Sequence, residues 1–164
     1  MAKIGVFYGS TTGITEEIVA GLKDKFTDYE VDLYNAGAAS KEDLANYENI
    51  IFASSTWGLG ELQDDWAEFI EVVKSTNLSG KKVALLGTGD QNMYPDTFVD
   101  AIGIIYNVAV EQGAEIVGTT ATDDYDFDDS LAVVDGKFVG LVLDDQNHPE
   151  LTEEKVAAWT VDLF

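Results

Sequence analysis

The segment Gly9-Ser10-Thr11-Thr12-Gly13-Ile14-Thr15 gathers glycine and hydroxyl side chains directly behind the apolar run Ile4-Gly5-Val6-Phe7-Tyr8. A strand that enters such a turn, with an amphipathic helix after it, suits a bound phosphate. The N–H groups at a helix start point at an anion, and the helix dipole favours negative charge there. Glycine lets the backbone close in, and Ser10, Thr11, Thr12 and Thr15 add hydroxyl donors. An ATP-type loop, G-x-x-x-x-G-K-[ST], is excluded. The glycine spacing here is shorter, and Ile14 stands where the lysine would be. A phosphate at this turn is held by neutral donors. The same residues would also make an ordinary capped helix after a first strand.

Two further loops carry chemistry-bearing residues. One is Ser54-Ser55-Thr56-Trp57-Gly58-Leu59-Gly60-Glu61-Leu62, the other Gly87-Thr88-Gly89-Asp90-Gln91-Asn92-Met93-Tyr94-Pro95-Asp96. Each sets one large aromatic among glycines and small polar residues. Taken singly, Trp57 or Tyr94 fits a half-buried packing role. Together, on one edge of a sheet, they suit a flat ring held between them, with backbone groups meeting its polar edge.

The elements that must position these loops alternate. Residues 3–8, 30–34, 49–54, 82–87 and 115–118 are short and apolar, as buried parallel strands are. Helical periodicity lies between them. Ile14, Ile18, Leu22 and Phe26 share a face over 13–26; Trp66, Phe69, Ile70 and Val73 share one over 64–74, with Asp64 as the expected cap. The stretch 97–112 is nearly apolar all round and ends at Gly113. Val156, Trp159 and Leu163 form a last stripe behind Thr152 as the expected N-cap. The fifth strand reads as interrupted, since 115–118 and 138–143 are both strand-like with an acidic loop between them. The pattern predicts an α/β fold, a doubly wound five-stranded parallel sheet with helices on both faces. Ligands of such sheets sit beyond the carboxyl ends of the strands. That edge carries 9–15, 54–65 and 87–100.

Composition narrows the function. The 164 residues hold 31 Asp and Glu against nine lysines and no arginine, a formal net charge of −22. Nucleic acid and anionic membrane surfaces are excluded, because both need basic protein surface. The charge exceeds the roughly 2–8 that keeps a small domain soluble and points to basic partners met by electrostatic steering. Without cysteine there is no disulfide, thiolate catalysis or iron–sulfur ligation. No secretory signal is evident and no apolar run approaches 18 residues, so a cytoplasmic protein is expected. One histidine, His148, cannot build a catalytic triad or a histidine metal set. Asp124, Asp126, Asp128 and Asp135 mimic calcium-loop spacing. Asp129 stands where the EF-hand needs glycine, however, and a solvated acidic loop is the expectation.

The ordered set Ser10-x-Thr12-Gly13-x-Thr15, Thr56-Trp57 and Gly87-x-Gly89-Asp90 with Tyr94 resembles the flavodoxins, specifically their long-chain type. Asp123 through Asp144, with Tyr125-Asp126-Phe127 and Gly136-Lys137-Phe138-Val139-Gly140-Leu141, resembles the insertion that splits the fifth strand in that type, at about 119–138 here. The likeness spans essentially the whole chain as a single domain, 1–164. It implies strand order 2-1-3-4-5 and a noncovalently bound FMN at the switch point of that sheet. By resemblance, Ser10, Thr11, Thr12, Gly13, Ile14 and Thr15 hold the phosphate. Ser55, Thr56, Trp57, Gly58, Leu59 and Gly60 lie on one side of the ring, and Thr88, Gly89, Asp90, Tyr94, Asp96 and Thr97 on the other. Several relatives carry lysine at the position of Ile14. The family implies a low-potential one-electron carrier with a stabilised semiquinone, not an enzyme. It implies a monomer that meets redox proteins with basic docking surfaces, ferredoxin-type reductases among them, across an acidic rim of Glu61, Asp64, Asp65, Asp96 and Asp100. The peptide Gly58–Leu59 is implied to reorient on reduction. An NAD(P)H–quinone reductase on the same fold is the alternative of another class, but no nicotinamide-binding segment is evident. A phosphoaccepting response regulator needs acidic strand ends, and here those ends are Tyr8-Gly9 and Ser54-Ser55.

Overall fold

A computed structural model describes residues 2–9, 13–57, 60–123, 125–161 and 163–164, with the backbone alone of Trp57. In chain order the elements are β1 (Ala2–Gly9), α1 (Ile14–Ala20), α2 (Leu22–Lys25), β2 (Tyr29–Asn35), α3 (Lys41–Ala45), β3 (Asn49–Trp57), β4 (Glu61–Leu62), α4 (Asp64–Lys74), β5 (Lys82–Thr88), α5 (Asp100–Glu111), β6 (Glu115–Val117), β7 (Val133–Val134), β8 (Lys137–Phe138), β9 (Leu141–Leu143) and α6 (Pro149–Thr160).

The main sheet runs β2-β1-β3-β5, all parallel. Its next position is shared by two short strands. β6 pairs with the start of β5 at Lys82–Ala84, and β9 pairs with its end at Leu86–Thr88. Counting the two as one broken strand, the order is 2-1-3-4-5. The segment between β6 and β9 holds the small β7–β8 hairpin and an isolated bridge from Thr120 to Phe138.

Side chains alternate across the sheet and both faces are covered, which explains the nearly continuous apolar strands. Ile4, Val6, Ile51, Ala53, Ala84 and Leu86 pack with Val19, Leu22, Val156 and Trp159 on the face of α1, α2 and α6. Phe7, Ile50, Phe52, Val83 and Leu85 pack with Trp66, Phe69, Phe98 and Ile102 on the face of α4 and α5.

Four helical details differ from the sequence expectation. The helix expected over 13–26 divides at Gly21 into α1 and α2. The cap of α4 is Gln63, not Asp64. Its Oε1 accepts from the N–H groups of Asp65 and Trp66 at 3.0 and 3.4 Å, a role that a buried glutamine takes because Gly9 leaves room for it. Helix α5 starts at Asp100 rather than 97, behind Val99, which sits in the left-handed region at φ 49°. In α6, Pro149 opens the first turn after His148, and Thr152 lies inside the helix with its hydroxyl donating to Asp145. The short helix α3, with its reciprocal Ser40–Asp43 capping box, was not anticipated.

Candidate functional site

Register brings the expected loops to one edge. Gly9 of β1 lies opposite Ser54 of β3, Ser54 opposite Gly87 of β5, and Gly87 opposite Val142 of β9. Their chains therefore leave the sheet side by side, at the carboxyl ends of the strands.

At the first loop, Ser10, Thr11 and Thr12 lie outside the described residues. Gly13 follows at φ 90°, a conformation that suits glycine, and opens α1 with no side-chain cap. A methyl group added to it would meet nothing within 4 Å. Ile14 lines a cleft between α1 and α6 with Ile18, Pro149, Thr152 and Val156. What it offers an anion is thus its backbone N–H. Thr15 is buried, and its hydroxyl lies 3.0 Å from that of Thr88, joining the first loop to the third.

At the second loop, Ser55 is half-buried opposite Thr88. The Thr56 hydroxyl accepts from the N–H of Ala101 at 3.1 Å and so closes the first turn of α5. The backbone of Trp57 pairs with Glu61 and Thr56 with Leu62, an antiparallel hairpin. Gly58, Leu59 and the Trp57 side chain lie outside the described residues. Gly60 has φ 95° and faces α5, where a methyl group on it would stand 2.7 Å from Asp100 Oδ2.

The third loop is tied on several sides. The Gly89 N–H donates to the carbonyl of Leu143. Asp90 Oδ1 accepts from the N–H groups of Asn92 and Met93 and from the side-chain amide of Asn147 at 2.7 Å. Partial burial raises the Asp90 pKa, but these three donors, led by Met93, outweigh it and hold the carboxyl below its ordinary value. Asn147 also donates to Asp144, a fully buried carboxylate that accepts from the N–H of Gln91. Gln91 in turn accepts from the N–H of Asp126, and the N–H groups of Asp128 and Asp129 donate to the Pro95 carbonyl. Tyr94 and Asp96 are exposed at the tip; the half-buried Thr97 donates its N–H to the Tyr94 carbonyl. Asn147, Asp144 and Gln91 were missed in the sequence. The signal was an Asp-x-x-Asn turn directly after the apolar run Leu141-Val142-Leu143, at the same strand edge.

One member of the expected acidic rim is misplaced. Asp100 is buried, 6% exposed, because it opens α5 beneath the hairpin and the insertion. Glu61, Asp64 and Asp96 are exposed, and Asp65 is half-buried, accepting from the Gln63 amide.

A doubly wound sheet of this order binds its ligand at the switch-point edge from which these three loops emerge. The flavodoxin family model matches residues 6–159. The chain is 45% identical to the flavodoxin of Trichodesmium erythraeum, over 99% of this chain and 96% of that protein. It is 38% identical to the flavodoxin of Haemophilus influenzae, over 100% and 95%. The crystal structure of Fusobacterium nucleatum flavodoxin bound to flavin mononucleotide superposes with a TM-score of 0.94 at 31% identity, covering 99% of this chain and 96% of that one. The chain belongs to the flavodoxin family.

Proposed function

We propose that residues 1–164 form one FMN-binding domain of the long-chain flavodoxin type, and that the protein carries single electrons between redox enzymes rather than catalysing a reaction of its own. The observation that carries this reading is the convergence of the three loops at one strand edge, in a chain of a family whose relative from Fusobacterium nucleatum is bound to flavin mononucleotide. The insertion between β6 and β9 supports the long-chain assignment.

The donor set fits FMN. A Cβ built on Gly13, at the start of α1, would meet nothing within 4 Å among the described residues, and the backbone N–H groups from 10 to 15, with the hydroxyls of Ser10, Thr11, Thr12 and Thr15, are the donors for a phosphate there. Trp57 and Tyr94 flank the ring, with Ser55 to Gly60 on one side and Thr88 to Asp90 on the other. Asp96 and Thr97 complete the rim. When bound, FMN supplies the one-electron chemistry; the chain supplies the field and the backbone partner. Glu61, Asp64, Asp65, Asp90 and Asp96 make negative charge on the ring unfavourable. At an effective dielectric of ~20 and ~10 Å each contributes roughly 1–2 kcal/mol before screening. Each ~1.4 kcal/mol moves a one-electron potential by about 59 mV, so the group as a whole favours a low potential.

The Gly58–Leu59 peptide supplies a switchable backbone partner for a ring nitrogen that accepts when oxidised and donates when protonated. Glycine admits both orientations at little steric cost. The test is a spectroelectrochemical titration of the wild type and Gly58→Val at one pH and salt. The first potential is expected to fall, by tens of millivolts per ~1 kcal/mol of strain, and the second to rise relative to it. Superimposed curves would leave the fixed charges alone to set the potentials.

The partners are redox proteins with basic docking faces, met by a cytoplasmic monomer. Among the described residues, no helix is long and apolar enough to cross a membrane. Association is expected to slow steeply as salt shortens the Debye length from ~30 to ~8 Å. A rate independent of salt would remove electrostatic steering from this picture.

A further inference from the structure

Asp100 has no part in the reading above, yet its position is unusual. It is the first residue of α5, buried at 6% exposure, and its two carboxyl oxygens face two different segments. Oδ1 accepts from the N–H of Leu131, in the insertion, at 2.7 Å. Oδ2 faces the hairpin at Gly60, close enough that a methyl group there would stand 2.7 Å away. The hairpin is joined to the same helix turn a second time, since the Ala101 N–H donates to the Thr56 hydroxyl. On the insertion side the contact is reinforced by the Ser130 hydroxyl, which donates to the Phe98 carbonyl, and by Gly103, whose missing side chain lets the Leu131 backbone lie against α5.

We propose that Asp100 is a positioning residue, joining the Gly60 hairpin to the insertion so that displacement of either segment is felt by the other. The proposal rests on the reading of that hairpin as part of the FMN site. A glutamate would carry its carboxyl one methylene too far, and an apolar residue would leave the Leu131 N–H without its acceptor. A carboxylate or its amide keeps the acceptor for that N–H and fills the space against Gly60. Burial pushes the carboxyl's pKa up, opposed by the Leu131 N–H and reinforced by the nearby charge of Asp129 on the insertion. Thr97 and Gly60, its other neighbours, bring no charge. Such an arrangement tolerates a neutral side chain of the same shape.

The experiment is amide hydrogen exchange on the FMN-loaded protein, read at 60–62 and at Leu131, with both reduction potentials measured on the same samples. Asp100→Ala is expected to speed exchange about tenfold or more at both places, as loss of a buried charged acceptor should, and to change the separation of the two potentials. Asp100→Asn keeps the acceptor and is expected to restore both. Exchange at 60–62 and potentials that stay at wild-type values in Asp100→Ala would overturn the proposal, with Asp100 then pinning the insertion alone. Gly60→Ala presses on the carboxyl from the hairpin side and is expected to loosen Leu131; unchanged protection there overturns the proposal even if Asp100→Ala does not fold. Gly58→Val run alongside separates the two readings. If it leaves the potentials unmoved, the peptide-reorientation reading fails, while exchange at Leu131 in Gly60→Ala still decides the role of Asp100.

Discussion

The two loops that bear Trp57 and Tyr94 are held in opposite ways. The hairpin at 56–62 hangs on two ladder pairs and on the first turn of α5. The loop at 87–100 is bonded to the turn after β9, through Asn147 and Asp144, and to the insertion, through Gln91 and Pro95. The third loop combines local turns at Asp90 and Tyr94 with bonds from Gly89, Asp90, Gln91, Asn92 and Pro95 to partners far away in sequence, which fix its shape. The described part of the hairpin is held through its ladder pairs and the Thr56 hydroxyl, and the glycines at 58 and 60 are residues that reach either sign of φ at small cost. Under the proposed reading, a site that holds a ring on one side and answers a change of protonation on the other is served by this difference.

The largest effect is expected from removing the link between the two carboxylates. Asn147→Leu keeps the shape but takes the amide from Asp90 and Asp144 together. About 3 kcal/mol of stability should be lost, measured by urea unfolding of the apoprotein, with weaker FMN binding by fluorescence titration. A variant as stable as wild type would mean that the third loop is not held through this turn.

Next is Gly103→Ala. Alanine favours a helix over glycine by about 1 kcal/mol, yet its methyl group would stand 2.4 Å from the Leu131 carbonyl. Overpacking against backbone costs about 1–3 kcal/mol and should win, so the variant is expected to be net destabilised in thermal unfolding. A stabilised variant would show that the insertion yields and does not brace the loop.

Tyr94→Ala and Trp57→Ala compare the two sides directly. Each should weaken FMN by about 1–3 kcal/mol in a fluorescence-quenching titration, the loss of one stacking face. Since Tyr94 is exposed and the loop's frame is held through Asp90, Gln91 and Pro95, Tyr94→Ala should leave apoprotein stability unchanged. A loss of stability matching the loss of affinity would mean that Tyr94 is packing, not a ligand contact.

The smallest effect concerns pH. The Asp90 carboxyl is held below its ordinary value, so its contribution is present above the unfolded pKa of about 3.9 and is lost as pH falls through the folded value. Asp100, raised by burial, acts the other way: its relative contribution is full below the unfolded pKa and is lost as pH rises through the folded one. Asp100→Asn should therefore stabilise the apoprotein at pH 7 relative to wild type and lose that advantage near pH 3. Asp90→Asn should do the reverse. Unfolding curves of both variants at the two pH values check the signs.

The sequence alone determined what short-range physics determines. The strands were legible because each is buried on both faces and so reads as an apolar run. The helix faces were legible from their 3.6-residue stripes, and the strand ends that carry the three loops from the apolar runs before them. Caps were less legible: Asp64 and Thr152 have favourable residue types, but Gln63 and Pro149 open the helices, because Gly9 admits the glutamine and proline needs no donor in a first turn. Only the tertiary structure decided that β6 and β9 share one strand position on β5, that Asn147 reaches Asp90 across 57 residues, and that Asp100 turns inward while Asp64 and Asp96 face water. The shared strand position, the reach of Asn147 and the inward turn of Asp100 depend on which distant donor or acceptor, backbone or side chain, the fold brings into hydrogen-bond reach. That is a property of register and packing, which no local pattern of residues encodes.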